Sequence, residues 1–121
     1  MDANEFKNAA GSCIISEDVI ASIAATAALD TAGVAGLAVR PADIRGIIAP
    51  AGASRSVRIL NTEYDTVLDV YVTLFQGARI QETSVALQQN VKMAVQSMTG
   101  KPVTKVNVHI EGVVPVEKTE E

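Results

Sequence analysis

Residues 66–75 read TVLDVYVTLF, and this stretch carries the clearest β-strand pattern in the chain. Apolar residues at even positions alternate with mixed residues at odd positions, which is typical of a strand with one buried face. The even set is Leu68, Val70, Val72 and Leu74, and the odd set includes Asp69, Tyr71 and Thr73. The β-rich segment 56–61 and a short polar connection precede it, so the pattern predicts an antiparallel hairpin.

One amphipathic helix is predicted before this hairpin and one after it. Ser16 is a potential N-cap, because its hydroxyl can accept from the free N–H groups of a first helical turn. The apolar stripe that follows consists of Ile20, Ile23, Ala24, Ala27 and Ala28. The second helix covers about residues 79–99, with a stripe of Ile80, Leu87, Val91, Ala94, Val95 and Met98. Gly100 and Pro102 mark its end.

Shorter strand patterns complete the predicted fold. They cover residues 11–15, 34–39 and 103–113, which gives the order β-α-β-β-β-α-β. This order predicts an α+β fold of two layers, in which two amphipathic helices cover one face of a small mixed β-sheet. We expect a single domain over residues 11–114, a flexible N-terminal arm at 1–10 and a flexible acidic tail at 115–121.

Charge and cysteine content restrict the partners and the compartment of the chain. The 121 residues carry a net charge of −4, so long-range attraction to nucleic acid is not expected. Cys13 is the only cysteine, which excludes an intrachain disulfide and favours a reducing compartment. The N-terminus lacks the basic and apolar regions of a signal peptide. We therefore expect a cytoplasmic protein.

One segment is long enough to cross a bilayer, but its composition argues against that function. Residues 19–39 are mostly apolar, yet Asp30, Gly33 and Gly36 interrupt them, and alanine supplies most of the bulk. The interruptions favour a helix followed by a strand. We expect no direct insertion of the chain into a membrane.

The sequence shows no pattern of catalytic or ligand-binding residues. The single Cys13 and the single His109 are far apart and lack the spacing of a metal site. They could act together only if the first and last strands met. Otherwise Cys13 is interpreted as a small buried hydrophobic residue and His109 as a residue on the polar face of a strand. No phosphate-binding glycine motif occurs, so we expect neither an enzyme nor a cofactor.

What remains is a candidate interaction surface with a basic part and an apolar part. The basic part is formed by Arg40, Arg45, Arg55 and Arg58, and the apolar part by Val67, Tyr71 and Phe75. The arginines form either a solvated loop or a docking site for an acidic partner or anionic lipid. The apolar residues predict assembly into a dimer or larger oligomer, unless Ile44, Ile47 and Ile48 of the 40–55 loop cover them.

Several segments, taken in order, resemble the alkaline shock protein family of bacteria. They are GSCIISEDVI at 11–20, GVAGL at 33–37, LDVYV at 68–72, QNVK at 89–92, MTG at 98–100 and VNV at 106–108. The resemblance implies a cytoplasmic, non-enzymatic protein of the envelope stress response, which forms homo-oligomers and is held near the membrane by an anchoring protein. Residues 40–58 depart from the family pattern, so the partner surface there is expected to be specific to this branch.

Two other functions remain open at this stage. A nucleic-acid-binding module of KH-like topology would require a basic groove and salt-sensitive binding. The sequence offers only Gly100, Lys101 and Pro102 as a loose match to the KH loop. A small enzyme would need a pocket that contains perturbed titratable groups.

Overall fold

The computed structural model describes residues 5–39, 56–61 and 65–116. Its elements are β1 (Glu5–Asn8), β2 (Gly11–Ile14), α1 (Glu17–Leu29), β3 (Val34–Leu37), β4 (Val57–Asn61), β5 (Thr66–Phe75), α2 (Ile80–Thr99) and β6 (Val103–Val114). Three segments of the sequence interpretation lie outside the described residues: 1–4 of the predicted arm, the predicted loop at 40–55, and 117–121 of the predicted tail.

Strand β5 is the centre of the main sheet and has neighbours on both edges. Strand β6 pairs with it in parallel, from Thr66 opposite Val103 to Phe75 opposite Val114. Helix α2 connects these two strands, as parallel neighbours require a crossover. On the other edge, β4 pairs antiparallel with the first half of β5 and β3 with the second half. The hairpin predicted from residues 56–61 and 66–75 is therefore confirmed.

Strands β3 and β4 lie end to end along one edge of β5 and meet at Tyr71. The Tyr71 N–H donates to the Ser56 carbonyl at 2.9 Å, and the Tyr71 carbonyl accepts from the Ala38 N–H at 2.8 Å. The described residues that follow β3 and those that precede β4 therefore bond to the same residue of β5.

Both helices pack on one face of the main sheet, and the core lies between the two layers. The core side chains that are almost wholly buried come from both helices and from β5 and β6. They are Ile20, Ala24 and Ala28 of α1, Leu68, Val70, Val72 and Leu74 of β5, Leu87, Val91 and Val95 of α2, and Val103 of β6. The alanines of α1 have short side chains, which let this helix approach its neighbours closely. The predicted two-layer α+β fold with a small mixed sheet is confirmed.

The ends of the helices follow the signals expected from the sequence. The Ser16 hydroxyl accepts a hydrogen bond from the Val19 N–H at 3.2 Å at the start of α1. At the end of α2, Gly100 adopts the left-handed conformation with φ 76°. Gly33 also has a positive φ of 94°, and a Cβ there would lie 3.0 Å from the Thr83 hydroxyl oxygen. This glycine allows the turn after α1 to approach α2 closely.

Two details of the sequence interpretation are corrected. The sequence predicts a flexible arm over residues 1–10, but residues 5–8 form β1, which pairs antiparallel with β2 in a separate two-stranded sheet. This short hairpin has no apolar alternation that could have revealed it. Ile80 and Met98 were assigned to the buried stripe of α2, but they are 53% and 70% exposed. Ile80 is the first residue of α2, and Met98 borders the open groove between α1 and α2, while Thr99 beside it is buried.

Candidate interaction surface on the open face of the sheet

The face of the main sheet opposite the helices is called the open face below. Alternation along each strand and the strand register determine its members. They are Arg58 and Leu60 of β4, Val67, Asp69, Tyr71, Thr73 and Phe75 of β5, and Lys105, Asn107 and His109 of β6. Because both helices pack against the opposite side chains of these strands, the open face has a different composition from the core face.

A buried carboxylate lies at the centre of the open face. Asp69 is only 7% exposed, although its strand position places it opposite the core. Its Oδ1 accepts a hydrogen bond from Asn107 Nδ2 at 2.8 Å and lies 3.3 Å from His109 Nε2. The parallel register sets Asp69 opposite Asn107 and brings His109 within reach one row further along β6. A buried carboxylate needs such partners, because burying it without them is costly.

An aromatic stack extends this cluster by one row. The Tyr71 and His109 rings have centroids 4.3 Å apart and an interplanar angle of 12°. The register places these residues directly opposite each other on β5 and β6. The Asp69 carboxylate contacts the edge of the His109 imidazole, and the Tyr71 ring stacks on its face. Both contacts restrict the orientation of the His109 side chain. The result is a preorganised patch of two rings beside a carboxylate.

The geometry does not assemble the catalytic pair considered from the sequence. Cys13 is exposed on β2, in the separate sheet with β1, whereas His109 lies on β6 of the main sheet. The interpretation of Cys13 as a buried hydrophobic residue is therefore wrong, and the reason is that β2 does not join the main sheet. Within residues 5–39, 56–61 and 65–116, no three His, Cys, Asp or Glu side chains are grouped to hold a metal ion.

Four of the seven predicted surface residues are brought together on the open face. Arg58 lies opposite Asp69 on β4, beside the polar cluster. Val67 and Tyr71 are half-buried, and Phe75 is 39% exposed. The predicted residues Arg40, Arg45 and Arg55 lie outside the described residues. The apolar side chains therefore flank a polar centre and do not form a continuous apolar stripe.

Sequence reasoning did not find that Asp69, Asn107 and His109 form one cluster. Alternation placed Asp69 on the wetter side of its strand, but it gave no information on which residues of β6 would lie beside it. The order β5-α2-β6 is a signal for parallel pairing, because a helix between two strands is the usual crossover. The register of that pairing, and with it the cluster, is not encoded in any local pattern.

A second surface feature lies on the helix layer. An open groove of about 400 Å³ lies where α1 meets α2, and it is lined by the apolar residues Ile23, Ala27, Ala94 and Met98 and by Ser22, Thr26 and Asp30. Met98 is largely exposed there, so the groove is apolar and accessible. It contains few polar groups that could orient a small ligand.

A helix that crosses a bilayer must be both long and apolar. Among the described residues, no helix meets both conditions.

The fold and the open face define a small α+β domain whose most organised surface is a polar and aromatic patch. Residues 5–115 match the alkaline shock protein 23 family, which is described as having a cell envelope-related function. The chain belongs to this family, which confirms the resemblance found from its sequence motifs.

Individual relatives agree with this assignment. The chain is 30% identical over 112 residues to the uncharacterized protein YloU of Bacillus subtilis, covering 90% of this chain and 93% of YloU. It is 28% identical over 102 residues to the uncharacterized protein Spy1614 of Streptococcus pyogenes serotype M6, covering 82% and 84% of the two chains.

Among solved structures, the MamM CTD aligns with a TM-score of 0.49 at 14% identity, covering 80% of this chain and 99% of that chain.

Proposed function

We propose that this protein is a non-enzymatic, cytoplasmic interaction module of the cell envelope stress response. It associates with itself and with a membrane-anchoring protein, and it reaches the inner face of the membrane through that protein. The cell envelope-related function of the family supports the cellular context. The observation that carries the interaction role is the preorganised patch of Asp69, Tyr71 and His109 on the open face.

The composition of the open face suits a protein partner. Interfaces are enriched in aromatic residues and surround them with polar groups at the rim. Here the Tyr71 and His109 rings lie near the centre, and Leu60 and Phe75 add apolar area at 40% and 39% exposure. Because the stack and the Asp69 contact already restrict these rings, little side-chain freedom is lost on binding.

The same geometry supports a structural role for the one histidine of the chain. A catalytic histidine pairs one ring nitrogen with a carboxylate and presents the other to a nucleophile, and Cys13, the nucleophile considered from the sequence, lies in the separate sheet of β1 and β2. The His109 Nε2 is directed at Asp69, and one face of its ring is covered by Tyr71. Asp69 also accepts from Asn107, so this carboxylate already has two neighbours. A support for the partner surface accounts for these contacts more simply than an acid–base site.

Membrane flotation tests the proposed tethering. The purified chain should stay in the dense fraction with neutral liposomes, whereas the same chain in cells of its source should fractionate with membranes. Strong binding of the purified chain to neutral liposomes would contradict the need for an anchoring protein. Loss of the membrane fraction on nuclease treatment would favour the nucleic-acid-binding alternative instead.

A matched pair of variants tests the surface. The double variant Leu60→Ser, Phe75→Ser removes exposed apolar side chains from the open face. The control Leu29→Ser, Val85→Ser removes side chains of similar exposure, 49% and 52%, from the helix layer. We expect only the first variant to leave the membrane fraction, with both variants folded by circular dichroism. Equal behaviour of the two variants would place the partner surface elsewhere.

A further inference from the structure

Strand β6 forms one edge of the main sheet over 12 residues. Within the parts of the chain that the structure describes, its hydrogen-bonded neighbour is β5, on one side only. At the start of β6 the Val103 N–H donates to Gln96 Oε1 at 2.9 Å, and the backbone groups further along that side form a candidate edge for a further strand. Such an edge is a template for pairing with another chain unless the sequence blocks it.

Proteins commonly block an edge with charges, prolines or bulges. In β6, Lys105 lies near one end, and the register shift at Glu111 marks a bulge near the other. The segment between them, residues 106–110, reads VNVHI and contains no Lys, Arg, Asp, Glu or Pro. One group of this segment, the Val106 carbonyl, accepts from Gln88 Nε2 at 3.1 Å. The centre of the edge is thus the least protected part of β6.

The sequence around this segment is complementary to itself in the antiparallel direction. If two copies of β6 pair about a twofold axis at Val108, Val106 of one copy faces Ile110 of the other. Lys105 then faces Glu111, and it does so twice because of the symmetry. Opposite charges and apolar pairs directly across an antiparallel ladder are both stabilising. Lys105 and Glu111, which lie at the two ends of the unprotected segment, therefore form opposite-charge pairs between the two copies.

We propose that β6 pairs antiparallel with β6 of a second copy of this chain, about a twofold axis at Val108. The proposal rests on the self-association included in the proposed function and names the surface responsible for it. The pairing is isologous, as expected of a twofold dimer. An axis perpendicular to the sheet keeps both helix layers on the same side, so the two open faces form one continuous surface. A partner docked on that surface contacts two clusters of Asp69, Tyr71 and His109.

Disulfide trapping tests the register. Two variants are prepared in a Cys13→Ser background, one with Lys105→Cys and one with Glu111→Cys, both at exposed positions. In the proposed dimer these two positions face each other at about 5 Å between Cα atoms, which a disulfide can span. Each position is about 20 Å from its own symmetry mate. Oxidation of the mixture should therefore give a cross-linked dimer, and oxidation of either variant alone should not.

Charge reversal supplies a second measurement on the full chain. Lys105→Glu places like charges opposite each other at two symmetric positions, and should weaken dimerisation about tenfold in sedimentation at low salt. The swap Lys105→Glu, Glu111→Lys should restore it. Asp30→Lys, directly after the end of α1, is the control: it changes the net charge by two units, the same magnitude as Lys105→Glu, and should leave dimerisation unchanged.

The outcomes separate this proposal from the proposed function. A wild-type monomer across micromolar concentrations would overturn both the edge pairing and the proposed self-association. A wild-type dimer that gives no mixed cross-link and ignores Lys105→Glu would overturn only the edge pairing, and self-association would use another surface. A dimer with the mixed cross-link supports the edge pairing even if the flotation test rejects membrane tethering.

Discussion

The two faces of β5 differ in the kind of interaction that holds them. On the core face, Leu68, Val70, Val72 and Leu74 are each at most 1% exposed and are buried against apolar side chains. On the open face, Asp69 and Tyr71 depend on two particular residues of β6 at defined distances. Burial is non-directional, so alternation alone predicts the first face. Hydrogen bonds and ring stacking are directional, so the second face requires a register.

The largest expected effect follows from putting a charge on the core face. Val70→Asp buries a carboxylate among aliphatic side chains without a partner, and should lower the free energy of unfolding by more than about 4 kcal/mol or unfold the chain. Urea denaturation followed by circular dichroism measures the loss. Val113→Asp is the control, since Val113 is 54% exposed and should tolerate the same change. Similar losses in both variants would contradict the burial difference between the two sites.

A smaller effect is expected from removing the carboxylate of the open face. Asp69→Ala leaves the Asn107 amide without its 2.8 Å acceptor and should cost about 1–3 kcal/mol in the free energy of unfolding. A double-mutant cycle with Asn107→Ala measures the coupling between the two side chains. Strictly additive losses would show that the two side chains do not interact in solution.

The aromatic stack is expected to contribute less than the carboxylate. Tyr71→Ser removes the ring that covers His109 and should cost about 1 kcal/mol, because Tyr71 is only half-buried. Tyr71→Phe keeps the ring and serves as the control, with stability near that of the wild type. A loss for Tyr71→Ser as large as that for Val70→Asp would contradict the assignment of Val70 to the core face and of Tyr71 to the open face.

The smallest effect is expected from a deletion beside the open face. Ala38 and Ser56 both hydrogen-bond to the backbone of Tyr71, so a short Gly/Ser linker can join them in place of residues 40–55. If residues 40–55 make no contacts with the rest of the domain, the free energy of unfolding should change by less than about 1 kcal/mol. Urea denaturation of the deletion variant measures this change.

The same variant distinguishes two interpretations of the open face. The sequence left open whether Ile44, Ile47 and Ile48 cover its apolar side chains. If they do, the deletion exposes Val67, Tyr71 and Phe75, and the stability loss should reach several kcal/mol. Dye binding to newly exposed apolar surface would accompany that loss. If they do not, neither change occurs.

Much of the fold could be predicted because its signals are local. The hairpin of β4 and β5, the extent of both helices and the caps at Ser16 and Gly100 all follow from periodicity and turn chemistry within a few residues. The predictions that failed concern the missed strand β1, the burial of Cys13 on β2, and two residues of the α2 stripe. Ile80 and Met98 continue the periodic stripe of α2, but Ile80 is its first residue and Met98 borders the open groove between the two helices.

The candidate site could be predicted only in part. The motif order identified the family, and alternation placed Val67, Tyr71 and Phe75 on one face with Arg58 beside them. Neither pattern could show that the carboxylate between them is buried. Asp69 and Asn107 are 38 residues apart in the chain, and their contact depends on how α2 returns β6 to the sheet.

The sequence by itself determined both helices, the four strand segments of the main sheet, which side of β5 faces the core, and the family. Those properties depend on side-chain periods of about 3.6 and 2 residues, which are set within each element. Only the tertiary structure decided that β3 and β4 share one edge of β5, that Cys13 is exposed, and that Asp69, Tyr71, Asn107 and His109 meet. These features depend on strand register and order, because a register is selected by the packing of all the elements together and not by any one of them.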